Sequence, residues 1–125
     1  MDSEQIFDVG GIQLRVGHHI FGDDGGPAVS VFAEIDGKAV QVMRFDRFRK
    51  EPYYNYDPTG RDDKRDLGRD TVSDPIAWTL EQLRHHLLEM IRTAVYRRVA
   101  ENVDPAAVAP VLSDVESIML APPRV

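Results

Sequence analysis

The chain has 125 residues, 42% of them hydrophobic and 29% charged, with 15 basic against 21 acidic side chains and a formal net charge of −6. This length and composition suit one globular domain and exclude a wholly disordered chain. The negative charge disfavours nucleic acid as a partner, and no apolar run approaches the roughly 20 residues of a membrane-spanning helix. The sequence has no cysteine, which excludes disulfides and thiolate chemistry. We expect a cytoplasmic protein.

The first part of the chain, residues 4–48, is predicted to be an antiparallel sheet made of two β-hairpins. In the first hairpin, residues 5–9 and 12–16 alternate apolar and polar side chains around Gly10-Gly11. Two glycines can both adopt the positive φ that a tight hairpin turn requires. The glycine-rich link at 17–27 is predicted to be a loop.

The second predicted hairpin joins residues 28–35 to residues 38–45 through Asp36-Gly37, a favoured pair for a type I′ turn. That turn would place Val31 opposite Val42. One face would then carry a set of apolar side chains that needs a cover: Val29, Val31, Ala33, Ile35, Val40 and Val42. The other face, which includes Met43, is predicted to be partly solvated.

Residues 49–73 are predicted to form a charged, aromatic-rich loop. With the end of the preceding strand, this stretch interleaves basic and aromatic side chains, a composition that can bind single-stranded nucleic acid. Because acids alternate with the bases, we favour tyrosines that cover a groove or a protein interface, with a small-ligand pocket as the alternative. The candidate interface or ligand residues are Arg44, Asp46, Arg47, Tyr53, Tyr54, Tyr56 and Trp78.

Residues 74–102 are predicted to form one long helix. Asp74 is a suitable N-cap and Pro75 suits the first helical position. Apolar residues then recur at spacings of three and four: Ile76, Leu80, Leu83, Leu87, Met90 and Ala94. Such a helix would be about 40 Å long and would extend beyond the sheet that it covers, which favours a partner chain.

Three residues of this predicted helix, Glu81, His85 and Glu89, share one face and are weak candidates for metal ligands. Charged residues at this spacing usually form a solvated face, and the sequence offers no second helix with the remaining ligands unless a dimer provides it. We therefore expect neither a metal nor a cofactor. The sequence also lacks a nucleophile elbow and a His-Glu-x-x-His motif, so it gives no support for an autonomous enzyme.

Residues 103–125 are predicted to form an extended apolar tail that binds a partner or wraps around the domain. Asp104-Pro105 is a candidate start for a short helix through Ala109, and Ser113-x-x-Glu116 is a candidate capping box. Prolines at 110, 122 and 123 interrupt it. Its candidate contact residues are Val111, Leu112, Val115, Ile118, Met119 and Leu120.

Three motifs, Arg44-Phe45-Asp46-x-Phe48, Pro52-Tyr53-Tyr54-x-Tyr56-x-Pro58-x-Gly60 and Asp74-Pro75-x-x-Trp78-x-Leu80-x-x-Leu83, resemble a small uncharacterised bacterial domain family over residues 10–95. In size and general character the chain is also similar to the small subunit of acetophenone-carboxylase-like complexes. That similarity implies ATP-dependent carboxylation by larger partner subunits and assigns no catalytic residue to this chain.

Together these features predict an α+β domain at residues 1–102, with two β-hairpins packed on one long helix, followed by the tail. The function we expect is that of a non-catalytic accessory or assembly subunit. Its partner would be a larger enzyme subunit or a second copy of the chain. The alternative is a small enzyme or ligand-binding domain that uses the tyrosine-rich loop.

Overall fold

The computed structural model describes residues 4–21, 24–46, 52–67, 73–94 and 96–121, which form an α+β domain with a six-stranded antiparallel sheet. Each strand pairs with the next one along the chain. The strands are β1 (Glu4–Val9), β2 (Ile12–Phe21), β3 (Asp24–Ile35), β4 (Lys38–Asp46), β5 (Tyr53–Tyr56) and β6 (Asp63–Asp66). The predicted fold class is confirmed, but the sheet is larger than two hairpins.

Two stretches that we predicted to be loops belong instead to the sheet. Strands β2 and β3 extend into the glycine-rich link, where Gly17 lies opposite Ala28 and His18 opposite Pro27. This pairing continues the register of the preceding apolar pairs, and it outweighs the low strand propensity of glycine. In the predicted aromatic loop, β5 pairs with β4 and β6 pairs with β5. Residues 47–51, including Arg47, lie outside the described part of the chain.

A β-bulge at Val42 changes the predicted register of β3 and β4. The turn at Asp36-Gly37 has positive φ at both residues, as predicted, and Phe32 lies opposite Gln41. One residue further on, however, Val31 lies opposite Met43 instead of Val42. The extra residue reverses the in–out alternation of the rest of β4. Met43, predicted to be partly solvated, is therefore fully buried on the same face as Val31.

The single helix predicted for residues 74–102 is wrong, because the structure divides this region into three helices. Asp74 does act as the N-cap, accepting a hydrogen bond from the amide N of Ala77 at 3.1 Å. The helices are α1 (Pro75–His85), α2 (Leu87–Thr93), α3 (Arg97–Asn102), α4 (Pro105–Val108) and α5 (Leu112–Leu120), with a 3₁₀ turn at Ala109–Val111. Each helix in this region is shorter than the predicted one, so helix length no longer favours a partner chain.

The first helix break falls at a residue that the apolar pattern does not constrain, whereas the second begins at Ala94, a buried member of that pattern. His86 is exposed and leaves the helical region at φ −128° and ψ 8°, while Leu83 and Leu87 on either side of it remain buried. At the end of α2, the guanidinium of Arg61 donates a hydrogen bond to the free carbonyl of Thr93 at 3.1 Å. A side chain from the turn between β5 and β6 thereby satisfies a helix terminus that a continuous helix would not have.

The helices cover one face of the sheet, which we call the inner face. Helix α1 packs over β4 and β5, where the indole of Trp78 lies 5.3 Å from the ring of Tyr54 and 6.2 Å from that of Phe45, centroid to centroid. Helix α5 packs over β2 and β3, and Nε2 of His18 lies 2.8 Å from the carbonyl oxygen of Ile118. Different helices therefore cover different parts of the inner face.

The turn between β1 and β2 also contacts the helices. Gly10 and Gly11 both have positive φ, and the amide N of Asp104 donates to the carbonyl of Gly10 at 3.0 Å. A Cβ atom added at Gly11 would lie 2.6 Å from the carbonyl oxygen of Asn102. Glycine is thus required here both for the backbone conformation and for the close approach of another chain segment.

A six-residue turn between β5 and β6, Asp57–Asp62, connects the sheet to the helices. The hydroxyl of Tyr96 donates to Oδ1 of Asp57 at 2.7 Å, and Oδ2 accepts from the amide of Arg61 at 2.9 Å. The Arg61 amide and the Tyr96 hydroxyl lower the pKa of Asp57. Burial, followed by the bond to Asp57, raises the pKa of Tyr96 to about 12.

No helix in the described ranges is both long and apolar enough to span a membrane.

We expect Gly11→Ala to destabilise the domain more than Gly37→Ala. Both glycines have positive φ, so alanine is strained at either site by about 1–2 kcal/mol. A Cβ at Gly37 would meet nothing within 4 Å, whereas at Gly11 it would collide with the Asn102 carbonyl. Urea unfolding of the two variants measures the difference, and equal losses would contradict the packing described for this turn.

The Tyr96–Asp57 bond predicts a loss of stability at alkaline pH. Unfolded tyrosine ionises near pH 10, whereas folded Tyr96 keeps its proton until about pH 12. The stabilisation is therefore fully present below about pH 10 and is lost as the pH rises toward 12. Tyr96→Phe should lose about 1 kcal/mol near neutral pH and show a shallower alkaline decline than the wild type. Denaturant unfolding across this pH range tests both effects, and identical pH profiles would refute the second.

Candidate functional site

The sheet face opposite the helices carries a group of buried polar side chains. Alternation along the strands points Arg44 and Asp46 of β4 away from the helices, together with their neighbours Asn55 and Tyr53 on β5. His19 of β2 joins them from the other side of β3. We call His19, Arg44, Asp46, Tyr53 and Asn55 the polar cluster.

Asp46 is at the centre of the polar cluster and is fully buried. Its Oδ2 lies 3.7 Å from Nδ1 of His19 and 3.8 Å from Nε of Arg44. The side chains of His19 and Arg44 keep 18% and 28% of their surface exposed, so the carboxylate lies beneath two more accessible groups. Burying a carboxylate is costly unless cationic or hydrogen-bonding groups surround it, and His19 and Arg44 occupy such positions.

Arg44 and Asn55 link the centre of the cluster to its rim. Nη2 of Arg44 donates to the hydroxyl of Tyr53 at 3.0 Å, and Nδ2 of Asn55 donates to Oδ1 of Asp62 at 2.6 Å. Nζ of Lys64 lies 4.6 Å from the centre of the Tyr53 ring, which it approaches from β6. Within this set, the basic side chains offset the acidic ones, so the cluster is close to neutral.

The candidate interface or ligand residues are divided between the two faces of the sheet. Arg44, Asp46 and Tyr53 lie in the polar cluster, whereas Tyr54 and Tyr56 point toward the helices. The Tyr54 and Tyr56 rings meet edge to face, with centroids 5.5 Å apart, and burial raises the pKa of Tyr56. Tyr54, Tyr56 and Trp78 therefore pack α1 against the sheet and do not share a groove with Tyr53.

The predicted tail residues lie largely within the core of this same chain. Leu112, Val115 and Met119 are buried on α5, and Val111 and Ile118 are half-buried against the core. Leu120 is different, since 64% of its surface is exposed. The segment is helical and packed rather than extended.

The weak metal candidates are not brought together as a ligand set. The break at His86 puts Glu81 and His85 on α1 and Glu89 on α2. Within the described ranges, no three His, Asp or Glu side chains converge closely enough to hold a metal ion. Nδ1 of His86 lies 3.8 Å from Oε2 of Glu89, which gives that carboxylate a different neighbour.

A cleft of about 540 Å³ opens on the same side of the sheet as the polar cluster, at the ends of the two N-terminal hairpins. In it, the guanidinium of Arg15 lies 3.8 Å from the centre of the Phe32 ring and donates to Oε1 of Gln13 at 3.1 Å. Its lining comes from β1 to β4: Asp8, Val9, Gly10, Gly11, Ile12, Gln13, Arg15, Phe32, Ala33, Glu34, Gly37 and Ala39. We call it the hairpin cleft.

The two regions offer different chemistry. In the polar cluster, Asp46 can orient the imidazole of His19 and hold the guanidinium of Arg44, groups suited to binding a polar molecule or moving a proton. The hairpin cleft combines an arginine stacked on an aromatic ring with exposed carboxylates, as many protein-binding surfaces do. His19 and Asn55 were not among the predicted site residues. The alternation of β5 identifies Asn55 only once its pairing with β4 is known, and no local signal marks His19.

Comparison with protein families shows that the chain belongs to the family described as Domain of unknown function (DUF7700), whose model matches residues 6–119. The match includes most of α5 instead of ending near residue 95, so the helical C-terminal segment is part of the family domain. No curated protein matches the chain, and no solved structure matches it. Nothing in these comparisons links the chain to acetophenone-carboxylase-like complexes.

Replacing the buried carboxylate should cost much more stability than replacing an exposed one on the same face. Asp46→Asn leaves His19 and Arg44 without the charge that they face, and we expect a loss of about 2–4 kcal/mol. Asp8→Asn is the control, since Asp8 is exposed and accepts from Gln13 at 2.9 Å; its loss should stay below about 1 kcal/mol. Chemical denaturation compares them, and similar losses would rule out a central role for Asp46.

Proposed function

We propose that the chain is a non-catalytic accessory domain that binds a protein partner through the hairpin cleft and the adjoining β1 surface. The partner would be a larger enzyme subunit or a second copy of the chain, rather than nucleic acid. A cytoplasmic location is part of the same proposal. The proposal does not depend on any link to a carboxylase complex.

The observation that supports this proposal most directly is the exposure of Ile6. This side chain keeps 51% of its surface exposed and lies opposite Arg15, on the side of the sheet that carries the hairpin cleft. The guanidinium of Arg15 lies over the Phe32 ring. Together with Ile6, these side chains form a surface that combines an aliphatic, an aromatic and a guanidinium group. Such side chains are enriched at protein interfaces, and edge strands readily accept partners.

The structural features that favour a protein partner differ from those that the sequence suggested. The long helix is broken, and α5 contributes to the core of its own chain, so neither now favours a partner. The interaction surface instead involves the N-terminal strands, a region that the candidate site residues did not include.

A second candidate function, a small ligand-binding or enzymatic domain, is favoured by the arrangement around Asp46. A fully buried carboxylate beneath an imidazole and a guanidinium brings together polar groups of the kind that orient a ligand. Structural polar networks share this arrangement, and the near-neutral charge of the cluster favours that role. We therefore rank this function second.

Replacing Ile6 with Asp should abolish association, while the matched change Leu120→Asp should leave it intact. Ile6 and Leu120 are the large hydrophobic residues that are most exposed in the described ranges, and they lie on β1 and α5 respectively. Light scattering measures self-association, and pull-down from the native cell with mass spectrometry identifies other partners. A wild-type chain that is monomeric and recovers no specific partner would refute the proposal. If both variants associate to the same extent, the interface does not include Ile6 on β1.

A further inference from the structure

A second cavity, of about 230 Å³, lies among the helices at the break between α1 and α2. The chain leaves helical geometry at His86, and the segment after α3 contributes Val103 and Pro105 to the lining. Its lining is Leu83, Arg84, His85, Leu87, Leu88, Glu89, Arg92, Val103 and Pro105. We call this cavity the helix-break pocket.

The lining of the helix-break pocket is apolar where it meets the core. Leu83, Leu87 and Val103 are buried, and Leu88 is half-buried against the core cluster. Such a surface can receive the hydrocarbon part of a ligand with little loss of hydrogen bonding.

The outer lining of the pocket is basic. Arg84 and Arg92 are both exposed, one on α1 and one on α2. Neither side chain forms an ion pair or a hydrogen bond within the described structure. Glu89, the acidic residue of the lining, faces His86 at 3.8 Å. Two arginines without carboxylate partners thus adjoin an apolar cavity in a chain whose net charge is −6.

We propose that the helix-break pocket binds a small organic carboxylate with an apolar body. Arg84 and Arg92 would hold the carboxylate, since the guanidinium group matches carboxylate geometry. The leucines would contact a ring or a branched hydrocarbon chain. The volume lies below the roughly 300 Å³ at which sites for larger ligands begin, which favours a small molecule over a peptide segment. The same two cations repel a metal ion from the neighbouring Glu89.

This site is independent of the proposed function, because the hairpin cleft lies on the opposite side of the sheet. Failure of one proposal therefore leaves the other intact.

The experiment is a titration of the full ¹⁵N-labelled chain with benzoate and isovalerate, followed by amide chemical shifts. We expect saturable shifts at Leu83–Arg92 and around Val103. Benzyl alcohol, which lacks the carboxylate, and acetate, which lacks the apolar body, should each bind at least about tenfold more weakly. Saturable shifts confined to the hairpin cleft, or none with either carboxylate, would overturn the proposal.

Variants of the rim test which residues hold the ligand. The double change Arg84→Gln and Arg92→Gln should weaken benzoate binding about tenfold or more, because it removes both cations while keeping side chains that favour helix. Arg97→Gln, which changes an exposed arginine of α3 outside the pocket, should leave the affinity unchanged. The amide spectrum of each variant reports its folding. Equal affinity of the double variant and the wild type for benzoate would refute the assignment of the two arginines. Binding of a short acidic peptide such as Leu-Glu-Glu, without any response to benzoate or isovalerate, would refute the preference for a small molecule.

Discussion

The bulge at Val42 determines which side chains of β4 and β5 face the helices. Because it inserts one residue before Met43, Met43 and Phe45 turn inward while Arg44 and Asp46 turn outward. Strand β5 pairs with this part of β4 and inherits the same division. Without the bulge, a buried carboxylate and a phenylalanine would exchange faces, at a cost that the domain could not sustain. The aromatic packing under α1 and the polar cluster are thus two results of one local irregularity.

The bulge also affects the helices through the turn that follows β5. The carbonyl of Val42 accepts a hydrogen bond from the amide of Asp57 at 2.8 Å, which fixes the start of that turn. Within this turn, Arg61 donates a hydrogen bond to the Thr93 carbonyl. Asp57 accepts one from the Tyr96 hydroxyl. Side chains of this turn therefore stabilise the end of α2 and the segment before α3, and the broken helical layer and the sheet depend on each other.

Much of the fold can be predicted from local signals, but the site cannot. The Asp36-Gly37 turn and the Asp74 N-cap are recognisable because each rests on chemistry within a few residues. The bulge, the strand at Tyr53–Tyr56 and the break at His86 depend on contacts that form only in the folded chain. Since the bulge and the strand decide which face each candidate residue occupies, local signals do not show that Tyr53 lies apart from Tyr54 and Tyr56.

The contacts between the first strands and the last helices have a consequence for how the domain folds. His18 meets Ile118 across 100 positions of sequence, and the Gly10 carbonyl meets the Asp104 amide. Closing such long loops costs chain entropy before the contacts can contribute, so these contacts should form after the pairing of strands that are neighbours in sequence. An N-terminal portion of the chain emerging from the ribosome would have its inner sheet face uncovered. The domain is thus suited to complete its folding only after α5 has been synthesised.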